Sequence, residues 1–264
     1  MVCEALRRKR RRHLSLAFAA AAVCALAAPA RAQEPATIER VKPSIVAVGT
    51  FERTRNPQFS FLGTGFAVGN GSFIATNDHV VPKTLATERN EALAIAVRAE
   101  DGNVVVRPAE RLAGDASADL ALLRIPGPPL PALRLGDSSA VREGELYLLT
   151  GFPIGSVLGL FPVTHRAMIA AITPIVIPAA RADQLDARSV RALQRGPFAV
   201  FQLDGTAYPG NSGSPLYHPR TGEVIGIVNS VFVKGTKEAA LTAPSGITYA
   251  IPAERLKDLL ERLH

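Results

Sequence analysis

Apolar residues in this chain recur in short β-branched or aromatic runs separated by Gly, Pro and Asn. In the first half the runs fall at 44–51, 61–68, 72–77, 92–98 and 103–111, with a further one, Leu120-Ala121-Leu122-Leu123, inside 118–125. The second half adds 145–150, 162–172, 198–203, 223–233 and 246–251. Runs of this length bounded by turn residues predict strands, and many in succession favour an all-β sandwich or barrel pair over an alternating α/β fold. The clearest helical periodicity comes last. Leu256, Leu259, Leu260 and Leu263 share one face behind Pro252, whose missing N–H suits the first position of a helix, so this segment should pack back on a barrel. A weaker pattern, with Leu185, Ala192 and Leu193 partly aligned, marks a second candidate helix at 182–194.

The first 32 residues read differently. Arg7-Arg8-Lys9-Arg10-Arg11-Arg12 precedes an apolar stretch over 14–28 and then Ala30-Arg31-Ala32, the charged, apolar, small-x-small order of an export signal cut between Ala32 and Gln33. The apolar stretch is shorter than the ~20 residues that a membrane helix needs. Residues 1–32 hold 7 of the 30 Lys and Arg and 1 of the 23 Asp and Glu, so residues 33–264 carry 23 basic against 22 acidic groups. The formal charge of +7 therefore belongs mainly to the signal, and a nucleic-acid partner or stable membrane insertion after cleavage is not expected. Both cysteines, Cys3 and Cys24, lie in the same segment, which leaves no disulfide for the exported part. What remains is long enough to bury a core without staples. Pro126-Gly127-Pro128-Pro129-Leu130-Pro131 reads as a stiff connector, because prolines cannot donate to a ladder.

Candidate chemistry lies in three separate segments. Pro209-Gly210-Asn211-Ser212-Gly213-Ser214-Pro215-Leu216 puts one hydroxyl on a turn in which Gly210 and Gly213 permit conformations that a side chain would block. The backbone amides of Gly210, Asn211 and Ser212 can then converge on a developing oxyanion. A serine hydroxyl is a poor nucleophile until a base takes its proton and an acid orients that base. Thr76-Asn77-Asp78-His79-Val80-Val81 places His79 where a buried strand ends, and Ala118-Asp119-Leu120 places a carboxylate at the mouth of another. Each feature alone is an ordinary turn or core-edge residue; together, in the order His79, Asp119, Ser212, they point to nucleophilic acyl transfer. No His, Asp or Glu cluster has metal-ligand spacing, and no metal or other cofactor is expected.

The same segments resemble the trypsin-like serine proteases, and within them the bacterial HtrA/Deg type. Gly63-Thr64-Gly65-Phe66, the Thr76–Val81 box, Asp119-Leu120-Ala121-Leu122-Leu123-Arg124-Ile125, and Phe201-Gln202-Leu203-Asp204 through Leu216 carry the resemblance. Val224-Ile225-Gly226-Ile227 and Gly246-Ile247-Thr248-Tyr249-Ala250-Ile251-Pro252 extend it from about residue 38 to the end. It implies an all-β trypsin-like fold of two six-stranded antiparallel barrels, the first over about 38–125 and the second over about 132–251, with a C-terminal helix at 252–263. Residues 33–264 would form this one protease domain after a signal at 1–32, without the PDZ module that many Deg proteases carry.

The implied function is an exported serine endopeptidase, periplasmic or secreted, acting on protein or peptide substrates through a His79–Asp119–Ser212 triad. By the same resemblance Thr206, Val228, Asn229 and Ser230 would shape the primary side-chain pocket. Thr206 in place of an aspartate disfavours cleavage after Arg or Lys. The chain departs from the family pattern at Ser214, where a second glycine is usual, at Val163-Thr164-His165-Arg166-Ala167-Met168, and at the inserted segment 173–197. A strand position with a polar partner is expected for His165, and a turn position for His218. The alternative reading, a catalytically silent trypsin-fold binding protein, draws on the altered 163–168 strand and the insertion.

Overall fold

The computed structural model of the chain describes residues 34–99, 101–155, 159–175, 198–205, 208–229 and 247–263. The candidate helix at 182–194, most of the insertion, Thr206 and Ser230 lie outside the described residues. Strands dominate. The first half carries β1 (Ile45–Phe51), β2 (Phe59–Val68), β3 (Phe73–Thr76), β4 (Ala92–Arg98), β5 (Val104–Pro108), β6 (Glu110–Asp115) and β7 (Leu120–Arg124). The second half carries β8 (Leu146–Gly151), β9 (Val163–Ile175), β10 (Phe198–Asp204), β11 (Pro215–Tyr217), β12 (Val224–Asn229) and β13 (Ile247–Pro252). Helix α1 (Glu34–Val41) precedes them and helix α2 (Ala253–Glu261) follows.

The second set closes as expected: β10, β13, β12, β11, β8 and β9 form a closed six-stranded barrel. The first set corrects the expectation of a matching six-stranded barrel. It is a seven-stranded sheet in the order β5-β4-β1-β2-β3-β7-β6, with no ladder joining its two edges among the described residues. Those edges are nevertheless consecutive in the chain, with Ala109 alone between them. The run expected as one strand over 103–111 breaks at Pro108-Ala109, where proline has no N–H to donate. The first piece pairs with β4 and the second with β7. The sheet thus curls until its edges meet through the chain, and the Ala109 N–H goes to Leu93 O at 3.0 Å.

Alternation sorts the central strands between two cores. In β1, Val46 and Val48 join Ala67, Ile74, Ile95 and Leu123 inside the first sheet. Ile45 and Ala47 face the other way, into a core shared with Phe66, Leu148, Phe152, Tyr217 and Val224 from both halves. A third core fills the closed barrel with Leu149, Ile169, Phe201, Leu203, Leu216 and Val228. Burial on both faces is why β1 reads as a continuous apolar run and not as an alternating one.

The proline-rich connector is held where it leaves the first sheet: Arg107 Nη2 donates to Pro128 O at 2.8 Å and Leu130 N to Gly71 O at 3.0 Å. Helix α2 begins one residue later than expected, because Pro252 still pairs with Gly226 as the last residue of β13. It buries Leu256 and Leu259 in the shared core and packs on β12, β13 and β6, so it ties both halves and not one barrel. Arg262, just beyond it, lies 3.7 Å from Asp115 Oδ2. Helix α1 and the short strand β11 carry no periodic signal in the sequence. Thr37 Oγ1 of α1 donates to Arg220 O at 3.0 Å, and Arg40 Nη2 to Thr221 O at 2.9 Å.

Candidate active site

Strand β3 ends at Thr76, and the chain turns through one 3-10 turn, Asp78–Val80, that carries His79. Register places that turn. β3 runs antiparallel to β7 with Thr76 opposite Ala121, so two residues further on Asp78 comes opposite Asp119. The Asp78 N–H donates to Asp119 O at 3.1 Å and Asn77 Nδ2 to the same carbonyl at 3.0 Å. The Asp119 side chain then takes the His79 backbone N–H on Oδ1 at 2.9 Å, and its Oδ2 lies 2.6 Å from His79 Nδ1. A carboxylate accepts, so Nδ1 donates, and in the neutral imidazole the lone pair is then on Nε2.

Asp119 reaches this geometry with φ at 52°, a left-handed conformation that few residues other than glycine adopt and that Asp tolerates better than most. A hydrogen-bonded turn leads into it. Asp115 Oδ1 accepts from Ser117 N at 3.0 Å and Ala118 N at 3.3 Å. Burial works against the Asp115 carboxylate, but the hydrogen bonds from Ser117 and Ala118 and the charge of Arg262 outweigh it, leaving its pKa below the ordinary value. Val80 and Val81, buried in the first core, anchor the far side of the histidine turn.

Ser212 sits on the turn before β11, buried at 5 % exposure. Gly210 (φ 100°) and Gly213 (φ 87°) both adopt the left-handed region, as expected. Neither position has room for a side chain: a β-carbon on Gly210 would fall 2.9 Å from the Phe61 ring, and one on Gly213 2.5 Å from Thr76 Oγ1. Thr64 of β2 clamps the turn from the first sheet. Its N–H donates to Ser212 O at 2.8 Å and its hydroxyl to Gly210 O at 2.7 Å, while the same hydroxyl accepts from Phe152 N at 3.1 Å. Gly63 lets the two halves close, since a β-carbon there would lie 3.1 Å from Ser212 O and 2.8 Å from Val80, the neighbour of His79. The histidine turn and the serine turn therefore pack on one glycine.

The amides expected around an oxyanion are not equivalent. The Asn211 N–H donates to Tyr208 O at 3.0 Å. The Gly210 N–H makes no hydrogen bond among the described residues. Of the expected pocket residues, Val228 is fully buried in the core of the closed barrel. Asn229, expected at a pocket rim, is 1 % exposed and donates Nδ2 to Asp119 Oδ2 at 2.6 Å. This contact crosses from β12 to the first half. An Asn beside a strand end carries no sequence signal for it. His165 lies in β9 as expected, yet its Nε2 is buried with no partner among the described residues, and burial lowers its pKa. His218 is in a turn, its Nδ1 accepting from Arg220 N and Thr221 N at 3.3 Å each.

A sequence model of the trypsin-like peptidase domain matches residues 63–227, a span that contains His79, Asp119 and Ser212. The chain belongs to the trypsin-like peptidase family. It is similar to two curated relatives, both named "Probable periplasmic serine endoprotease DegP-like". The one from Marinomonas sp. (strain MWYL1) is 31 % identical over 206 residues, which is 78 % of this chain and 36 % of the relative. The one from Pseudomonas putida (strain F1) is 30 % identical over 210 residues, 79 % of this chain and 36 % of the relative. The chain thus spans little more than a third of their length. Among solved structures, the HtrA-type protease AlgW with a tripeptide superposes with a TM-score of 0.57 at 22 % identity, covering 86 % of this chain and 62 % of that one, and shares the fold. Among the described residues, no group of three or more His, Cys, Asp or Glu is placed to hold a metal ion. No helix there is long and apolar enough to cross a membrane.

Proposed function

We propose that this protein is an exported serine endopeptidase that hydrolyses peptide bonds of protein or peptide substrates in the cleft between its two β-units. The observation that carries this reading is the 2.6 Å contact from His79 Nδ1 to Asp119 Oδ2, which in the neutral imidazole puts the proton on Nδ1 and the lone pair on Nε2. The Thr64 clamp on the neighbouring Ser212 turn adds support. His79 Nε2 takes the Ser212 hydroxyl proton as the oxygen adds to the substrate carbonyl carbon. The carbonyl oxygen, now negative, faces the Gly210 amide, with the Ser212 amide as the expected second donor. Asp119 stabilises the imidazolium, which then protonates the leaving amine as the C–N bond breaks. Water repeats the sequence on the acyl-enzyme, releasing the acid and restoring Ser212. Export follows from the leader-like order of residues 1–32 and accords with the periplasmic naming of the relatives.

The test is covalent labelling of the purified protein by a fluorophosphonate, beside Ser212→Ala and a digest of denatured casein. Labelling and casein cleavage by the wild type, both absent in Ser212→Ala, are expected. A folded wild type that does not label would overturn the proposal and favour a binding protein on the same fold.

A further inference from the structure

Beside His79 stands an ion pair that this reaction does not use. Arg111 of β6 reaches Asp78 Oδ1 through Nη2, and Asp78 is the residue immediately before His79. The pair lies over Gly114, where a β-carbon would fall 3.2 Å from Asp78 Oδ1 and run into the guanidinium. The Asp78 side chain is 13 % exposed, so its carboxylate is largely shielded and the guanidinium is its charged partner. Two carboxylates thus belong to the histidine turn, Asp119 bonded to the ring and Asp78, the preceding residue in the chain, bonded to an arginine.

The difference matters for the base. Carboxylate charge near an imidazole favours its protonated form, whereas a base must be neutral to accept a proton, so an Asp78 charge left without a partner would act against His79. The remaining charged groups on and beside the elements packed against the turn are Asp115 with its partner Arg262, Glu110 and Arg124, which face each other across β6 and β7, and Lys83 beyond Val81. Asp115 is held by Ser117, Ala118 and Arg262, and Arg124 is exposed at the far end of β7. Gly63 and Thr64 of β2, residues 208–214 and Asn229 carry no ionisable side chain except Tyr208.

We propose that Arg111 is a positioning and charge-balancing residue for His79: by pairing Asp78 it leaves Asp119 as the carboxylate that governs the imidazole, and so sets the pH range in which the base is available. The proposal rests on His79 acting as the base. Arg111→Gln should move the acidic limb of the kcat/KM profile upward by about half to one pH unit, a threefold to tenfold loss on that limb with the alkaline plateau retained. Asp78→Asn should move it the other way, and Arg111→Lys and the double variant Asp78→Asn/Arg111→Gln should restore the wild-type profile.

The same variants in a Ser212→Ala background, with the His79 imidazole followed by NMR titration, read the effect without turnover. An imidazole titration that Arg111→Gln leaves in place, or that the double variant fails to return, overturns the proposal, as does a loss of activity uniform with pH. A shift in the NMR titration with no fluorophosphonate labelling of the wild type would sustain the charge balance while removing the protease reading. Should Arg111→Gln not fold, Asp78→Asn and the double variant carry the same comparison.

Discussion

Asn229 donates its side-chain amide to Asp119 Oδ2 at 2.6 Å, joining a strand of the serine-bearing barrel to the carboxylate that orients His79. The Asp119 carboxylate is therefore held from both halves of the molecule, and its orientation depends on their closing correctly. A hydrogen bond to a charged group contributes roughly 1.5–3 kcal/mol, so Asn229→Ala should lower kcat/KM by about 10- to 100-fold. Asn229→Asp should be worse, because it sets a second carboxylate against Asp119. Steady-state kinetics on a peptide substrate checks both; an Asn229→Asp variant as active as Asn229→Ala would contradict the contact.

Direct loss of the reacting groups should be more severe. Ser212→Ala or His79→Ala should reduce turnover by about 10⁶, and Asp119→Asn, which permits the wrong imidazole tautomer, by about 10⁴. Near-normal hydrolysis by either of the first two would refute the triad.

Thr64→Val separates clamp from chemistry. It keeps the backbone N–H to Ser212 O but removes the hydroxyl that serves Gly210 O and Phe152 N. Leaving those buried groups unpaired should destabilise the fold by about 1–3 kcal/mol and loosen the oxyanion turn. Urea unfolding should show a lower midpoint, with kcat falling more than KM rises.

Gly213→Ala meets two obstacles, a left-handed backbone and the Thr64 carbonyl against the new β-carbon. The backbone alone costs about 1–2 kcal/mol. Thermal unfolding should report a marked loss, whereas Gly144→Ala, with nothing near its β-carbon, should report the backbone cost alone.

Acid sensitivity has an identifiable contributor remote from the site. The Glu91 carboxylate accepts from the Thr50 hydroxyl at 2.6 Å, Ala86 N at 3.0 Å and Arg55 at 2.9 Å, and these contacts lower its pKa from 4.5 to about 2. The folded value lies below the unfolded one, so its stabilisation is present above pH 4.5 and is lost as pH falls toward 2. Solvent screening reduces the effect. Glu91→Gln should lower the unfolding midpoint at pH 7 and approach the wild-type midpoint near pH 2, as followed by thermal melts across that window.

Short β-branched runs, the glycines flanking Ser212 and the strand-end positions of His79 and Asp119 determined the all-β class and the candidate chemistry, because alternation and turn chemistry are local properties written residue by residue. The spacing of Leu256 and Leu259 likewise located the terminal helix. Only the tertiary structure decided what these parts touch. The break at Pro108-Ala109, which leaves the first sheet without a closing ladder, depends on which neighbours its two pieces find. The Thr64 clamp, the Arg111–Asp78 pair and the Asn229 amide on Asp119 link residues separated by 146, 33 and 110 positions. No local pattern encodes such contacts: they follow from strand register and from how the two halves pack, and both are settled only when every strand has buried its faces.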